Sequence, residues 1–343
     1  MNRSLRKLRN EFRQGLLNFI WRQWQKMGVA GSLRGHDGWF IDPEPVLAFT
    51  SEIGRQDARV FDEVLDWLRC NGEWVNTQRL TTILNADDVG CRPAMGAIAS
   101  WLAELDKSTK WRGLARKMES CEPVEALFNS QRNSRQAAFK QRDKHFDRYG
   151  LLRRPIKTRG MTQPVNMSSP VNAVFKCRAV FGIGIRADVI LFLLSTDGGH
   201  ARRIANLLGY NHMRVRELLI GLADAEVLTM RQAGRTKHYF IDKEKWGSVL
   251  LGNSENPRWI DWRALVRGLT VLWRKVWSID EERADDYIFS AEMREAIRAA
   301  RDDLLASGLG IEIREDRRYL AEDYLPVFLA DMTQMLQTLN GAK

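Results

Sequence analysis

The stretch from residue 185 to 241 constrains this chain most, because its apolar spacing changes from helical to alternating within one short segment. In GIRADVILFLLS, Ile185, Val189 and Leu193 recur at helical spacing, and Asp197-Gly198-Gly199 ends the helix. HARRIANLLGY then predicts a second, short helix with Ile204, Ala205 and Leu208 inward. Gly209 allows a sharp turn, since glycine takes the left-handed conformation without a steric clash. A third helix from His212 to Asp224 buries Val215, Leu218, Leu219 and Leu222. That leaves Asn211, His212, Arg214 and Arg216 on its exposed first turns. VLTMRQAGRTKHYFID follows as a hairpin. Leu228 and Met230 share one face, Tyr239 and Ile241 the other strand's, and the tip is Ala233-Gly234-Arg235, flanked by Arg231 and Lys237.

The rest of the chain reads as mainly α. Residues 4–27 form an amphipathic helix with Leu5, Leu8, Phe12, Leu16, Phe19 and Ile20 inward and Arg or Lys between them, within a basic segment 1–34. Residues 35–105 form a helical unit. Its opening WFIDPEPVLAF is expected to be extended or turn-like because each proline restricts the residue before it. Three faces follow: Phe61, Val64, Leu65 and Leu68; Leu80, Ile83 and Leu84; and Met95, Ile98, Trp101, Leu102 and Leu105. Their order fits a second helix-turn-helix. However, Asp87 and Asp88 occupy the turn and no hairpin follows, so a three-helix packing unit is the preferred reading. Residues 106–170 read as a basic linker, interrupted near its end by Pro155, Pro164 and Pro170. Residues 258–343 form a helical C-terminal unit, with Leu265, Leu269, Leu272, Trp273 and Val276 on one face and Ser290 capping a helix that ends at Gly308.

Charge follows the same divisions. The chain carries +10 overall, distributed as +7 in 1–34, −7 in 35–105, +9 in 106–170, +5 in 171–250 and −4 in 251–343. Basic blocks between acidic ones suit a polyanionic partner, because each cation placed on a phosphate releases condensed counterions. No apolar run reaches the roughly 20 residues that cross a bilayer. The start MNRSLRKLRNEF lacks the apolar core of a signal peptide, and the four cysteines are far apart. A cytoplasmic protein with reduced thiols and no membrane contact is expected.

Across residues 171–250 the marks IANLLGYNHMRVRELLIGLADAEVL and AGRTKHYF resemble the winged helix-turn-helix of ArsR- and MarR-type bacterial repressors. The resemblance implies a winged helix with a small β-hairpin wing, flanked here by helical N- and C-terminal units, and a double-stranded DNA partner. It implies a third helix in the major groove, carried by Asn211, His212, Arg214 and Arg216, with Arg235 of the wing on the backbone; the flanking Arg231 and Lys237 are read as DNA-binding too. Arg202 and Arg203 are assigned to phosphates. The expected function is that of a sequence-specific transcriptional regulator. The apolar stripes on 4–27 and 262–277 exceed what one small unit needs, so a homodimer is expected too. A DNA-binding subunit of a nucleoprotein assembly (replication initiator, partition or defence component) and a protein–protein adaptor with the same fold remain as alternatives.

Enzymatic signatures are weak. Gly182-Ile183-Gly184-Ile185-Arg186-Ala187 fits GxGxxA. A dinucleotide site also needs a buried strand before it and an acid about 20 residues on, and neither is found. ArsR-type metal ligands are not evident, and His36, His145, His200, His212 and His238 are dispersed. Adjacent acids such as Asp62/Glu63, Asp87/Asp88 and Asp285/Asp286 diverge on a helix. No catalytic residue, cofactor or metal is expected.

Overall fold

A computed structural model describes residues 3–31, 38–128, 141–252, 257–280, 285–314 and 316–341. The polar stretch 129–140 of the expected linker, and His36, lie outside them. The protein is mainly helical, with two small two-stranded sheets.

Helix α1 (Arg3–Lys26) ends at Met27-Gly28, with Gly28 at φ 114°. Its apolar stripe is not a free basic arm. It packs against α2 (Pro43–Ile53), α3 (Ala58–Asn71), α13 (Trp262–Ser278) and α15 (Tyr324–Leu339). Phe12 meets Trp273 at 6.1 Å between ring centroids, Phe19 stacks on Trp262 at 5.8 Å, and Trp24 meets Trp67 edge-on at 5.0 Å. The two stripes expected to join two copies therefore bury each other within one chain. A contiguous core runs from Leu5 to Leu339 and draws on every segment distinguished by charge.

Between residues 43 and 53 the structure departs from the extended reading. Pro43 and Pro45 lie in the first turn of α2, where a missing N–H costs the helix no hydrogen bond. The three expected helices follow as α3, α4 (Thr77–Ala86) and α5 (Arg92–Leu105), capped by Asp57 and Asn76 at the first two. Leu105 is exposed rather than on the buried face.

The expected linker is largely anchored where it is described. It holds α6 (Thr109–Ala115), α7 (Lys144–Arg148) and two parallel β-residue pairs, β1 (Glu125–Ala126) and β2 (Leu151–Leu152). The extended run beyond is tied to α3, where Asp66 accepts from the N–H groups of Met161 and Thr162 and Asn71 accepts from that of Val165. Buried polar side chains of α3 thus supply partners that a free linker would take from water.

Helix α8 (Ala173–Phe181) is separated from α9 (Ile185–Ser195) by Gly182 and Gly184, at φ 82° and 149°. The GxGxxA match follows a helix, not a strand. Next come α10 (Ala201–Leu208), α11 (His212–Asp224) and the antiparallel pair β3 (Leu228–Ala233) and β4 (Thr236–Ile241), in register from Leu228↔Ile241 to Ala233↔Thr236. Leu228, Tyr239 and Ile241 are buried. Met230, expected to share that face, is 40% exposed. After α12 (Lys243–Leu250), α13 pairs with α14 (Asp286–Ala306). Helix α14 begins a turn earlier than read from Ser290. Asp285 is its cap, accepting from Ile288 N–H at 2.8 Å, while Ser290 is buried and donates to Ala321 C=O.

Candidate nucleic-acid interface

The α10–α11 corner is built from three residues. His200 caps α10 through Nδ1, which accepts from Arg203 N–H at 3.3 Å. Gly209 ends α10 at φ 74°, the left-handed conformation the sequence anticipates. Asn211 caps α11 by accepting from the N–H groups of Met213 and Arg214, so its carboxamide oxygen shapes the helix start. Helix α11 fully buries only Val215 and Leu219, and the rest of its surface is outward or half-buried.

Five of the basic side chains expected to act together line one groove, and His200, which is not among those expected, joins them. His200, Arg202, His212, Arg216, Arg235 and Lys237 surround a concavity of about 480 Å³ between α10, α11 and the hairpin. Tyr239 lies at its base, and His200 meets His238 at 5.5 Å between ring centroids. None of the four Arg and Lys side chains forms an ion pair among the described residues. Burial and the nearby His238, Arg203, Arg202 and His212 lower the pKa of His200 below its ordinary value.

The other expected residues lie elsewhere. Arg203 is exposed on α10, and Arg231 sits on β3 with its guanidinium 5.3 Å from the Phe240 ring centroid. Arg214 faces a second depression, about 700 Å³, shared with Gln78, Thr82, Lys110, Ile183 and Tyr210. Two residues along a helix rotate a side chain by about 200°, so Arg214 and Arg216 serve opposite sides of α11.

Beneath the corner lies a charge network that sequence patterning misses. Arg79 forms paired hydrogen bonds to Asp42, both at 2.5 Å, and reaches Glu44 at 2.8 Å. Arg178 makes a paired contact with the same Glu44 at 2.7 and 2.8 Å and a longer one to Asp188 at 3.2 Å. Tyr210, the middle residue of the corner, donates to Asp188 at 2.6 Å and accepts from Asn76 at 3.0 Å. Arg79 Nε also donates to Leu208 C=O at 2.6 Å, and Arg263 donates to Asn206 C=O while gripping Asp87. Two arginines thus occupy the free carbonyls at the end of α10 and fix the corner to the body.

Three carboxylates face two guanidiniums here. Burial raises the pKa of Asp42. It acts in the same direction on Glu44, but Arg178, Arg79 and the Asn76 N–H outweigh it and hold that group at about 2. Burial, reinforced by Asp188, raises Tyr210 well above its ordinary range, so it remains a donor. Lys110 is lowered to about 8 by burial and donates to the carbonyls of Gly72, Glu73 and Val75. The one sequence cue to this network was charge inside apolar runs: Asp188 in GIRADVILFLLS and Arg178 in AVFKCRAVF.

No protein-family model matches the chain, and neither a curated protein nor a solved structure is significantly similar to it. Among the described residues, no helix is long and apolar enough to cross a membrane.

Proposed function

We propose that residues 185–241 act as a winged helix-turn-helix that binds double-stranded DNA with sequence preference, α11 entering the major groove and the hairpin tip lying on the backbone. The observation that carries this reading is the groove where Arg202, Arg216, Arg235 and Lys237 converge without a carboxylate partner among the described residues. Elsewhere this chain neutralises its buried arginines thoroughly, as at Arg79, Arg178 and Arg263. Unpaired cations on a concave surface attract phosphates. A protruding helix with basic first turns, beside a hairpin with Arg235 at its tip, matches the docking of this class of module.

Control of transcription is the role this binding would serve most directly. A specific observation also favours the reading as a DNA-binding subunit of a larger nucleoprotein assembly. The stripes that suggested a homodimer are buried within the chain, so symmetry is not required and the preferred site need not be a palindrome. Selection of bound duplexes from a random pool by the full-length protein tests both readings. A converged sequence supports sequence-preferring DNA binding, and a palindrome in it restores the dimeric regulator. Affinity for the selected duplex should fall at least about tenfold between roughly 50 and 200 mM salt if several phosphates are contacted. Failure to select any sequence, with affinity flat across that range, would leave the adaptor reading instead.

A further inference from the structure

A second basic groove lies on the far side of α6. Arg112 and Arg116 line it together with Arg148 at the end of α7, Ser100, Ser120 and Tyr149, around a volume of about 630 Å³. All three arginines are exposed, and none has a carboxylate partner among the described residues. Glu104 is the acid on its wall. It is engaged by Lys144 at 2.5 Å and faces His145 Nε2 at 3.6 Å, so it does not neutralise the arginines. The Tyr149 hydroxyl donates to Ala115 C=O at 2.8 Å and braces the helix that carries two of them.

The position of α6 links this groove to the proposed interface. Lys110, at the start of α6, lines the depression that Arg214 faces. Arg116 lies six residues further on, about 9 Å along a helical rise. Arg112 lies two residues beyond Lys110, about 200° around the helix, so the two depressions lie on either side of α6 and share it as a wall. We infer that the groove of Arg112, Arg116 and Arg148 holds the phosphate backbone of duplex DNA flanking the site read by α11, on the side away from the hairpin. This rests on the DNA-binding reading above and adds an asymmetric, one-sided extension of the footprint. Duplex DNA is favoured over a small phosphorylated ligand because the three arginines are exposed and no buried side chain among the described residues closes around a single phosphate position.

The test uses the full chain and three labelled duplexes: a selected core of about 12 base pairs, and the same core lengthened by about 10 at one end or the other. Wild-type protein should bind one lengthened duplex more tightly than the core and the other no better. Replacing all three residues (Arg112→Ala, Arg116→Ala and Arg148→Ala) should abolish that gain, about tenfold, and reduce the salt slope on that duplex by two to three. Affinity for the core should stay within about twofold, with an unchanged melting temperature. If wild-type protein binds the core but gains nothing from either extension, the inference falls while the DNA-binding reading stands. An equal loss on core and lengthened duplexes would also overturn it, since that signals only lower net charge. No binding to any duplex would overturn both.

Discussion

Helices α3, α4 and α5 and helices α9, α10 and α11 follow similar local rules, yet the protein uses them in opposite ways. In both, a long helix precedes a short one capped by Asn76 or His200, and a second long one follows. The α4–α5 connection spans residues 87–91, with Asp88 and Gly90 at positive φ, whereas α10–α11 turns in three residues through Gly209. At the first corner, Asp87 is held by Arg263 and Arg267, and Asp88 and Glu52 by Arg274, all from α13. Helix α5 then buries Ala94 to Ala99, Trp101 and Leu102. Acids in the first turn match the basic face of α13 and draw the helix inward. Cations at the second remain unmatched and leave α11 outward. Helix spacing sets the angle between such helices, but charge complementarity with the rest of the chain decides which one remains available to a ligand.

The two corners are also mechanically coupled. Arg79 belongs to α4 of the first unit, yet it donates to Leu208 C=O and lies 5.9 Å from the Tyr210 ring centroid in the second. The largest expected effect therefore comes from Arg79→Ala. It strands the buried Asp42 and removes a partner from Glu44 and from the end of α10. Removing one side of a buried ion pair costs about 3–5 kcal/mol, so a clear drop in melting temperature is expected, together with faster amide exchange at residues 208–211. A variant as stable as wild type would separate the two units and end the argument that one anchors the other. Glu44 adds a pH signature. Its folded pKa of about 2 is depressed, so the stability it contributes is present above its ordinary value of 4.5 and lost as pH falls from there towards 2. Asp42, whose folded pKa is raised, opposes this by favouring the folded state as it takes up a proton.

Much of this was legible in the sequence, and the reasons for the remainder are physical. The spacing in 185–224 located α9, α10 and α11, and the Gly209 turn follows from glycine's freedom at positive φ. The basic residues of the groove were legible as exposed positions, and the roughly 200° between Arg214 and Arg216 follows from helix geometry, but the depression that Arg214 faces is created only by the packing of α4 and α6. Segment boundaries drawn from charge did not separate cores, since apolar stripes hundreds of residues apart, such as those of Phe12 and Trp273, close on one another. The network of Asp42, Glu44, Arg79, Arg178 and Asp188 joins positions from four separate segments, and pairing over such distances leaves no periodicity to read. Prolines 43 and 45 misled because a residue that forbids a helix interior is welcome in its first turn.

A smaller effect separates the two sides of α11. Arg214 and Arg216 project in opposite directions, one towards Lys110 and the α4 start, the other towards the hairpin. An arginine paired with guanine gives about 1–3 kcal/mol of discrimination, whereas a phosphate contact weakens every sequence alike. Arg214→Ala is expected to relax preference for the selected duplex over random DNA. Arg235→Ala at the hairpin tip should lower affinity for both and reduce the salt slope by about one. Competition of specific against random duplex at two salt concentrations distinguishes them. If Arg235→Ala shifts the ratio and neither Arg214→Ala nor Arg216→Ala does, the hairpin reads sequence and α11 does not, reversing the contrast between exposed helix and positioning wing.

The smallest expected effect concerns protons, and it tests whether the groove lacks negative charge as its unmatched cations suggest. His200 caps α10 through an accepting Nδ1, so it is neutral in the structure, and its depressed pKa reflects burial first and then His238, Arg203, Arg202 and His212. Arg216, Arg235 and Lys237 share the groove, and no carboxylate lines it. In the free protein a depressed pKa means that protonation opposes folding. Stability from this residue is present above its ordinary 6.5 and lost as pH falls through the lower folded value. A phosphate in the groove reverses the balance by stabilising the imidazolium, so binding should draw in a proton. Affinity is then expected to rise a few-fold as pH falls from about 7.5 to about 5.5. His200→Asn keeps an acceptor at the helix start while removing the titration, and should lose part of that rise with little change at the higher pH. Should the variant show the full pH dependence of wild type, the titrating charge lies elsewhere, and phosphate does not approach the start of α10.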